Sequence, residues 1–160
     1  METTNKSIDF DGDPRELLPL YEIPYYRSSS SAQKTEEQIG RLFAKYNITN
    51  YRWTTAGEDK LLEFILEHKP PDQSLNIRIP LPRIYARQGG KVILVPALQR
   101  LRMFYAYLKT SLEATQFGLM KLEQIFFGFI RLQLPDGTEM STSDLLAHYQ
   151  DGTLLLKAPP

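Results

Sequence analysis

Apolar residues recur along this chain with two different periods, and the change of period divides it into elements. In PALQRLRMFYAYLKTSLEATQF (Pro96 to Phe117), Leu98, Leu101, Tyr105, Leu108 and Leu112 fall at alternating spacings of three and four. That spacing puts them on one face of a helix. Proline is accepted in a helix's first turn and Gly118 suits its end, so the helix is expected from Ala97 to about Phe117. Nothing else in the chain is as long or as regular. An earlier helix is predicted to open at Thr35, where Gln38 completes capping-box spacing, and to close at Asn47. Its apolar face is Ile39, Leu42, Phe43 and Tyr46.

The period then falls to two. YRWTT and KLLEFILEH flank an Ala-Gly-Glu-Asp turn, the pattern of a hairpin. After Pro70-Pro71, the alternation of Leu75, Ile77, Ile79 and Leu81 with Asn76, Arg78 and Pro80 predicts a third strand with one face buried. Pro80 cannot donate to a ladder, so this strand ends there or lies at an edge. RIYARQGGKVILV carries a Gly-Gly turn and reads as a hairpin or an extended loop. Beyond Gly118 come a short helix (Lys121 to Ile125), FFGFIRLQL, the turn Pro135-Asp136-Gly137, a strand over Thr138 to Met140, and a last helix capped at Ser141. The apolar tail TLLLKAPP is expected to pack back as a strand. The fold class is therefore α+β: a three-stranded antiparallel meander, with a C-terminal hairpin, packed against one long helix and shorter ones. Residues 1–33, acidic and interrupted by prolines and serines, read as an arm, and 34–160 as a single α+β domain.

Composition adds little to this architecture but removes several functions. The 160 residues are 42% hydrophobic and 24% charged, ordinary for a globular chain. Apolar runs of a few residues are too short to span a membrane, and the opening METTNKSIDFDGD lacks a secretory signal's pattern. The absence of cysteine rules out disulfides and thiolate-bound zinc and fits a cytoplasmic protein. Net charge is zero, yet it is unevenly spread. Residues 1–26 sum to −4, whereas no acid stands between Asp72 and Glu113, an interval that sums to +7.

The order of elements resembles a family of small proteins of unknown function encoded by phages, prophages and related bacterial genomes. The resemblance runs from about Thr35 to Gln150. It rests on EEQIGRLFAKYNI, the paired strands YRWTT and LLEFIL, RIPLP, LPDGT and chiefly RLRMFYAYLKTSLEATQFGLMKLEQIFF. It implies a mobile-element setting, hence nucleic-acid processing or interference with a host protein, and it transfers no active-site residue. The N-terminal arm and the Gly89-Gly90 insertion depart from the pattern.

Motifs for catalysis and metal binding are missing. His68 and His148 belong to no metal-ligand spacing, and Asp9-Asp11-Asp13 lacks the downstream glutamate of a calcium loop. Gly89-Gly90-Lys91 lacks the spacing of a phosphate loop, and Glu58-Asp59 with Glu63 and Glu67 sets no geometry for acid–base work. No catalytic residue, metal site or cofactor is assigned, and the reading leans away from an enzyme. The basic interval offers more. Arg78, Arg83, Tyr85, Arg87, Lys91, Arg100 and Arg102 combine guanidinium groups for phosphates with a ring for base stacking, as a single-stranded nucleic-acid platform does. Arg100 and Arg102 also oppose the dipole of the long helix, which favours an anionic partner, either a ligand or the chain's own acidic arm. The alternative is a protein partner held by the apolar part of the arm: Leu17, Leu18, Leu20, Tyr21, Ile23, Tyr25 and Tyr26. A second apolar face on the long helix leaves a homo-oligomer open.

Overall fold

The computed structural model describes residues 10–67 and 74–151. His68, the Pro70-Pro71 break, the first nine residues and the tail TLLLKAPP lie outside the described residues. The class is α+β, with four α-helices, a three-stranded antiparallel sheet and two further hairpins among the described residues. The chain forms two compact units. One combines the N-terminal stretch up to Gly40 with Leu81–Leu108; the other combines Arg41–Pro80 with the chain from Lys109 onward.

Helix α1 begins in the first unit at Ala32, three residues ahead of the expected start, and runs to Lys45. Ser31 supplies the cap in place of Thr35: its Oγ accepts from the Lys34 amide at 3.2 Å. Thr35 is buried and its hydroxyl donates back to the Ser31 carbonyl at 3.1 Å. The run RIYARQGGKVILV forms a true hairpin. Strands β4 (Tyr85–Gln88) and β5 (Lys91–Leu94) pair antiparallel, with Gln88 opposite Lys91. The two-residue loop needs positive φ at both positions, and Gly89 and Gly90 adopt 55° and 78°. Beside it the described part of the arm packs on the hairpin. Leu20 and Ile23 are buried with Ala86 and Val95, flanked by Ile84, Ile93 and Met103. Pro19 bridges to Arg87, whose amide donates to the Leu18 carbonyl at 2.9 Å.

The second unit is organised around the meander β1 (Tyr51–Ala56), β2 (Asp59–Leu66) and β3 (Leu75–Pro80), in that spatial order. Alternation sends Leu62, Phe64, Leu66, Ile77 and Ile79 to one buried face. Phe43 from the end of α1 meets Phe64 edge-on at 5.0 Å, and Phe64 meets Phe126 in the same way at 5.0 Å. Asn47 ends α1 with φ of 60°, a conformation asparagine tolerates better than most residues. After helix α3 (Leu122–Ile125), strands β6 (Arg131–Gln133) and β7 (Glu139–Ser141) make a hairpin. It is tied to β3 through a bridge between Ile77 and Ile130. The expected cap opens α4 (Thr142–Gln150): Ser141 Oγ accepts from the Asp144 amide, and the Asp144 carboxylate returns the bond.

The long helix α2 runs Ala97–Gln116 and ends where Gly118, at φ 72°, lets the Leu119 amide reach back to Ala114 at 3.0 Å. Its buried stripe is Leu101, Phe104, Leu108 and Leu112; Leu98 and Tyr105 are half-buried. Near its start, Arg100 is 0% exposed. Its Nε donates to the Val95 carbonyl at 2.8 Å and its Nη1 to the Pro82 carbonyl at 3.4 Å. A buried guanidinium persists only when its donors are used, and here they hold together the chain on either side of the β4–β5 hairpin. Arg100→Ala is expected to lower the free energy of unfolding by about 3 kcal/mol, through the cavity it opens and the carbonyls it strips of a donor. Urea denaturation measures this, and a loss under about 0.5 kcal/mol, the size of an ordinary surface change, would contradict it.

Candidate functional site

The two residue sets expected to bind partners meet in the first unit. A 3-10 turn over Leu20–Glu22 follows Pro19, and its spacing of three sends Leu20 and Ile23 inward while Tyr21 and Tyr26 stay outside. An open pocket of about 340 Å³ results. The arm lines it with Pro19, Leu20, Tyr21 and Tyr26, and the hairpin with Arg87, Gln88, Gly89 and Gly90. Tyr21 is 67% exposed and Tyr26 46%. Two accessible rings thus stand beside one guanidinium at a turn that carries Lys91, also exposed.

Each part of the pocket is held from behind. Arg87 Nε donates to the Leu17 carbonyl at 2.7 Å, which fixes the position of a side chain that is otherwise exposed. Gln99 Nε2, buried in α2, donates to the carbonyls of Ile23 and Pro24 at 3.0 and 2.9 Å. Tyr25 adopts φ of 65°, unusual for an aromatic residue and costing on the order of 1 kcal/mol. That turn is stabilised by the Ser28 amide donating to the Tyr25 carbonyl at 2.9 Å. Arg102 lies 5.7 Å from the centre of the Tyr25 ring and 5.5 Å from that of Tyr105, while its Nη1 donates to Gln38 at 2.5 Å.

The remaining residues of the basic set have separate fates. Arg83 is exposed in the loop before β4. Tyr85 is half-buried, its ring 5.2 Å from Phe10, so it packs within the arm rather than offering a face. Arg100 is enclosed, as described above, and offers nothing to a ligand. Arg102 is half-buried in its cage of tyrosines. Among the arm residues, Leu20 and Ile23 are core, Leu17 is half-buried and Leu18 is exposed. Described residues of this unit carry eight basic side chains against six acidic ones. One opposed pair, Asp13 and Arg15 at 2.7 Å, is neutralised within a single turn.

Arg78 lies in the second unit, on the open face of the meander. Register aligns Arg52, Glu63 and Arg78 across the three strands. Glu63 accepts from Arg52 Nε at 2.6 Å and from Arg78 Nε at 2.8 Å. The β6–β7 hairpin adds Arg131 and Glu139, and the face encloses a groove of about 480 Å³. This groove is the larger of the two, but its exposed face presents no aromatic ring, because Tyr51 and Phe64 alternate to the other side. Sequence reasoning passed over Arg52, Arg131 and Glu139. The readable signal was the hairpin register, which sets Arg52 opposite Glu63 once the turn is placed. Among the described residues no group of three histidine or carboxylate side chains is placed to hold a metal, and no helix is long and apolar enough to cross a membrane.

Comparison with protein-family models, with curated proteins and with solved structures finds no match to this chain.

The groove's electrostatics have a direct consequence. Arg52 first, and Arg78 with it, hold the Glu63 carboxyl below the usual carboxylate range. A depressed folded value means the ionised form supports the fold. That support is fully present above the unfolded value near 4.5 and is lost as pH falls through the folded value. The stability gap between the native chain and Glu63→Gln is therefore expected to be widest near neutral pH and to close in acid. Urea titrations at several pH values measure it, and a gap that stays constant down the series would contradict the assignment.

Proposed function

We propose that this protein is a non-enzymatic, cytoplasmic accessory protein of the phage type that its sequence pattern suggests, and that it binds single-stranded nucleic acid at the arm–hairpin pocket. The observation that carries this reading is the pairing of two exposed rings, Tyr21 and Tyr26, with Arg87 in one open pocket. Unpaired bases present faces that stack on tyrosine, and their phosphates suit Arg87 and Lys91. A duplex hides its base faces, so single strands are preferred. The glycine turn keeps the hairpin tip free of side chains, which lets a backbone approach it. Zero net charge restricts attraction to this local patch and predicts modest affinity with strong salt dependence.

A second reading is a protein-interaction module, and one observation favours it. Phe117 and Leu119, following α2, are 76% and 75% exposed, as residues at a protein contact are before the partner arrives. Leu20 and Ile23 of the arm are spent in the protein's own core, so such a partner would meet this loop first.

Fluorescence anisotropy with labelled single-stranded and duplex oligonucleotides, at low and moderate salt, decides between them. Single strands are expected to bind more tightly than duplex and to weaken as salt rises. Tyr21→Ala and Tyr26→Ala should each lose about tenfold in affinity, the worth of one stacked base. Arg87→Ala with Lys91→Ala should flatten the salt dependence, while Phe117→Ser with Leu119→Ser should change nothing. No binding at low salt, or loss only in the Phe117/Leu119 variant, would overturn the nucleic-acid reading.

A further inference from the structure

The open face of the meander is a polar surface whose charges are unequally satisfied. Glu63 sits between Arg52 and Arg78 with contacts of 2.6 and 2.8 Å, the lengths of strong charge-assisted bonds. Glu139 is different. Its carboxylate stands 3.4 Å from Arg78 and 3.5 Å from Arg131, and its side chain is 46% exposed. At those lengths it neutralises two guanidinium groups without bonding either well. Arg131 is positioned independently of that carboxylate, because its Nη2 also donates to the Glu139 backbone carbonyl at 3.2 Å.

We propose that this groove is a binding site for the phosphate group of a small phosphorylated molecule, with Glu139 as a displaceable internal anion held on Arg78 and Arg131. A phosphate monoester carries about −1.5 to −2 at neutral pH and three strong acceptor oxygens, against the single charge of a carboxylate. It therefore gains more from two partly exposed guanidinium groups than Glu139 does. Swinging Glu139 outward costs little, since it is already half in water and its bonds are long. Arg52 and Glu63 stay in place as the neighbouring pair. Asp144, whose Oδ2 accepts from both the Ser141 hydroxyl and the Ser141 amide and whose carboxyl also feels the Arg131 charge, is a further acid on that side.

The next row of the sheet suits the rest of such a molecule. Asn50, Ile65 and Asn76 stand opposite one another across the strands. Asn76 and Asn50 flank one apolar side chain, with Asn50 Nδ2 already donating to Glu67 at 2.6 Å, and a row with such polar edges matches hydroxyl-bearing carbon chains or rings. A volume of about 480 Å³ is within the range of small-molecule sites. The inference uses none of the residues of the arm–hairpin pocket and stands or falls apart from it.

NMR titration of the full-length, isotope-labelled chain with ribose 5-phosphate tests it, with unphosphorylated ribose at matched ionic strength as control. The amides of Arg52, Arg78, Arg131 and Glu139 are expected to shift with the phosphorylated sugar and not with ribose. Glu139→Gln should tighten binding about fivefold by removing the competing anion, and Arg78→Met should weaken it at least as much. Arg131→Lys, which keeps the charge but loses the planar fork, should weaken it to an intermediate degree. Absence of shifts, equal shifts with ribose, or an affinity unchanged by Glu139→Gln would overturn the proposal. The Glu139 variant alters an exposed side chain, so this decisive arm does not depend on whether the arginine variants fold.

Discussion

Burial of Leu20 and Ile23 beside Ala86 and Val95 is the constraint on which the first unit's surface depends. Without it, Tyr21 and Tyr26 belong to a loose polar tail, and no pocket exists at the hairpin. Two such side chains contribute roughly 4 kcal/mol when fully buried. Ordering each backbone residue costs on the order of 1 kcal/mol or more, so burial alone does not hold a segment of this length. The difference is met by hydrogen bonds that use the arm's own carbonyls: Leu17 and Leu18 toward Arg87, and Ile23 and Pro24 toward Gln99. Pro19 and Pro24 reduce the freedom lost on docking. The arm is thus held partly by Arg87, a residue of the hairpin that forms the other wall of the pocket, and partly by Gln99 of α2. Under the proposed function, a ligand that bridged both walls would therefore stabilise the docked arm.

The architecture was legible because its elements carry strong periods. The α2 stripe, the meander alternation and the Pro135-Asp136-Gly137 turn each identify an element from local information alone. The one shift within the α2 stripe, with Phe104 buried more deeply than Tyr105, reflects the tyrosine's polar end, which favours a half-exposed place. The start of α1 moved because Ser31 and Thr35 are both competent caps, and the choice between them falls outside the sequence window. Arg100 was the hardest position. It sits one residue before the Leu101 stripe, and only the carbonyls of Val95 and Pro82, brought close by the chain's path around the hairpin, make its burial tolerable.

The seven arm residues illustrate a different limit. As a set they read as one apolar segment, yet a three-residue turn divides them into core and surface. Composition identifies such a segment as too apolar for a linker. It does not tell which of its side chains remain for a partner, because that depends on a turn of three residues per repeat rather than on an α or β period.

The acid-free interval shows the same limit for charge. Counted along the chain it is a block of seven cations, but a field is made by charges near one another in space. Arg78 is neutralised between Glu63 and Glu139. Arg100 is spent on backbone carbonyls, and Arg102 is enclosed by Tyr25, Tyr105 and Gln38. The interval therefore contributes to an open surface mainly through the short stretch from Arg83 to Lys91. That stretch is where the glycine turn and the arm's exposed rings are found. Charge from one segment and aromatic surface from another converge there because the arm's Pro19 lies along the edge of β4 at Arg87. A pairing of that kind joins residues some seventy positions apart, and it is this long-range contact, rather than the density of cations in the sequence, that gives the surface its chemistry.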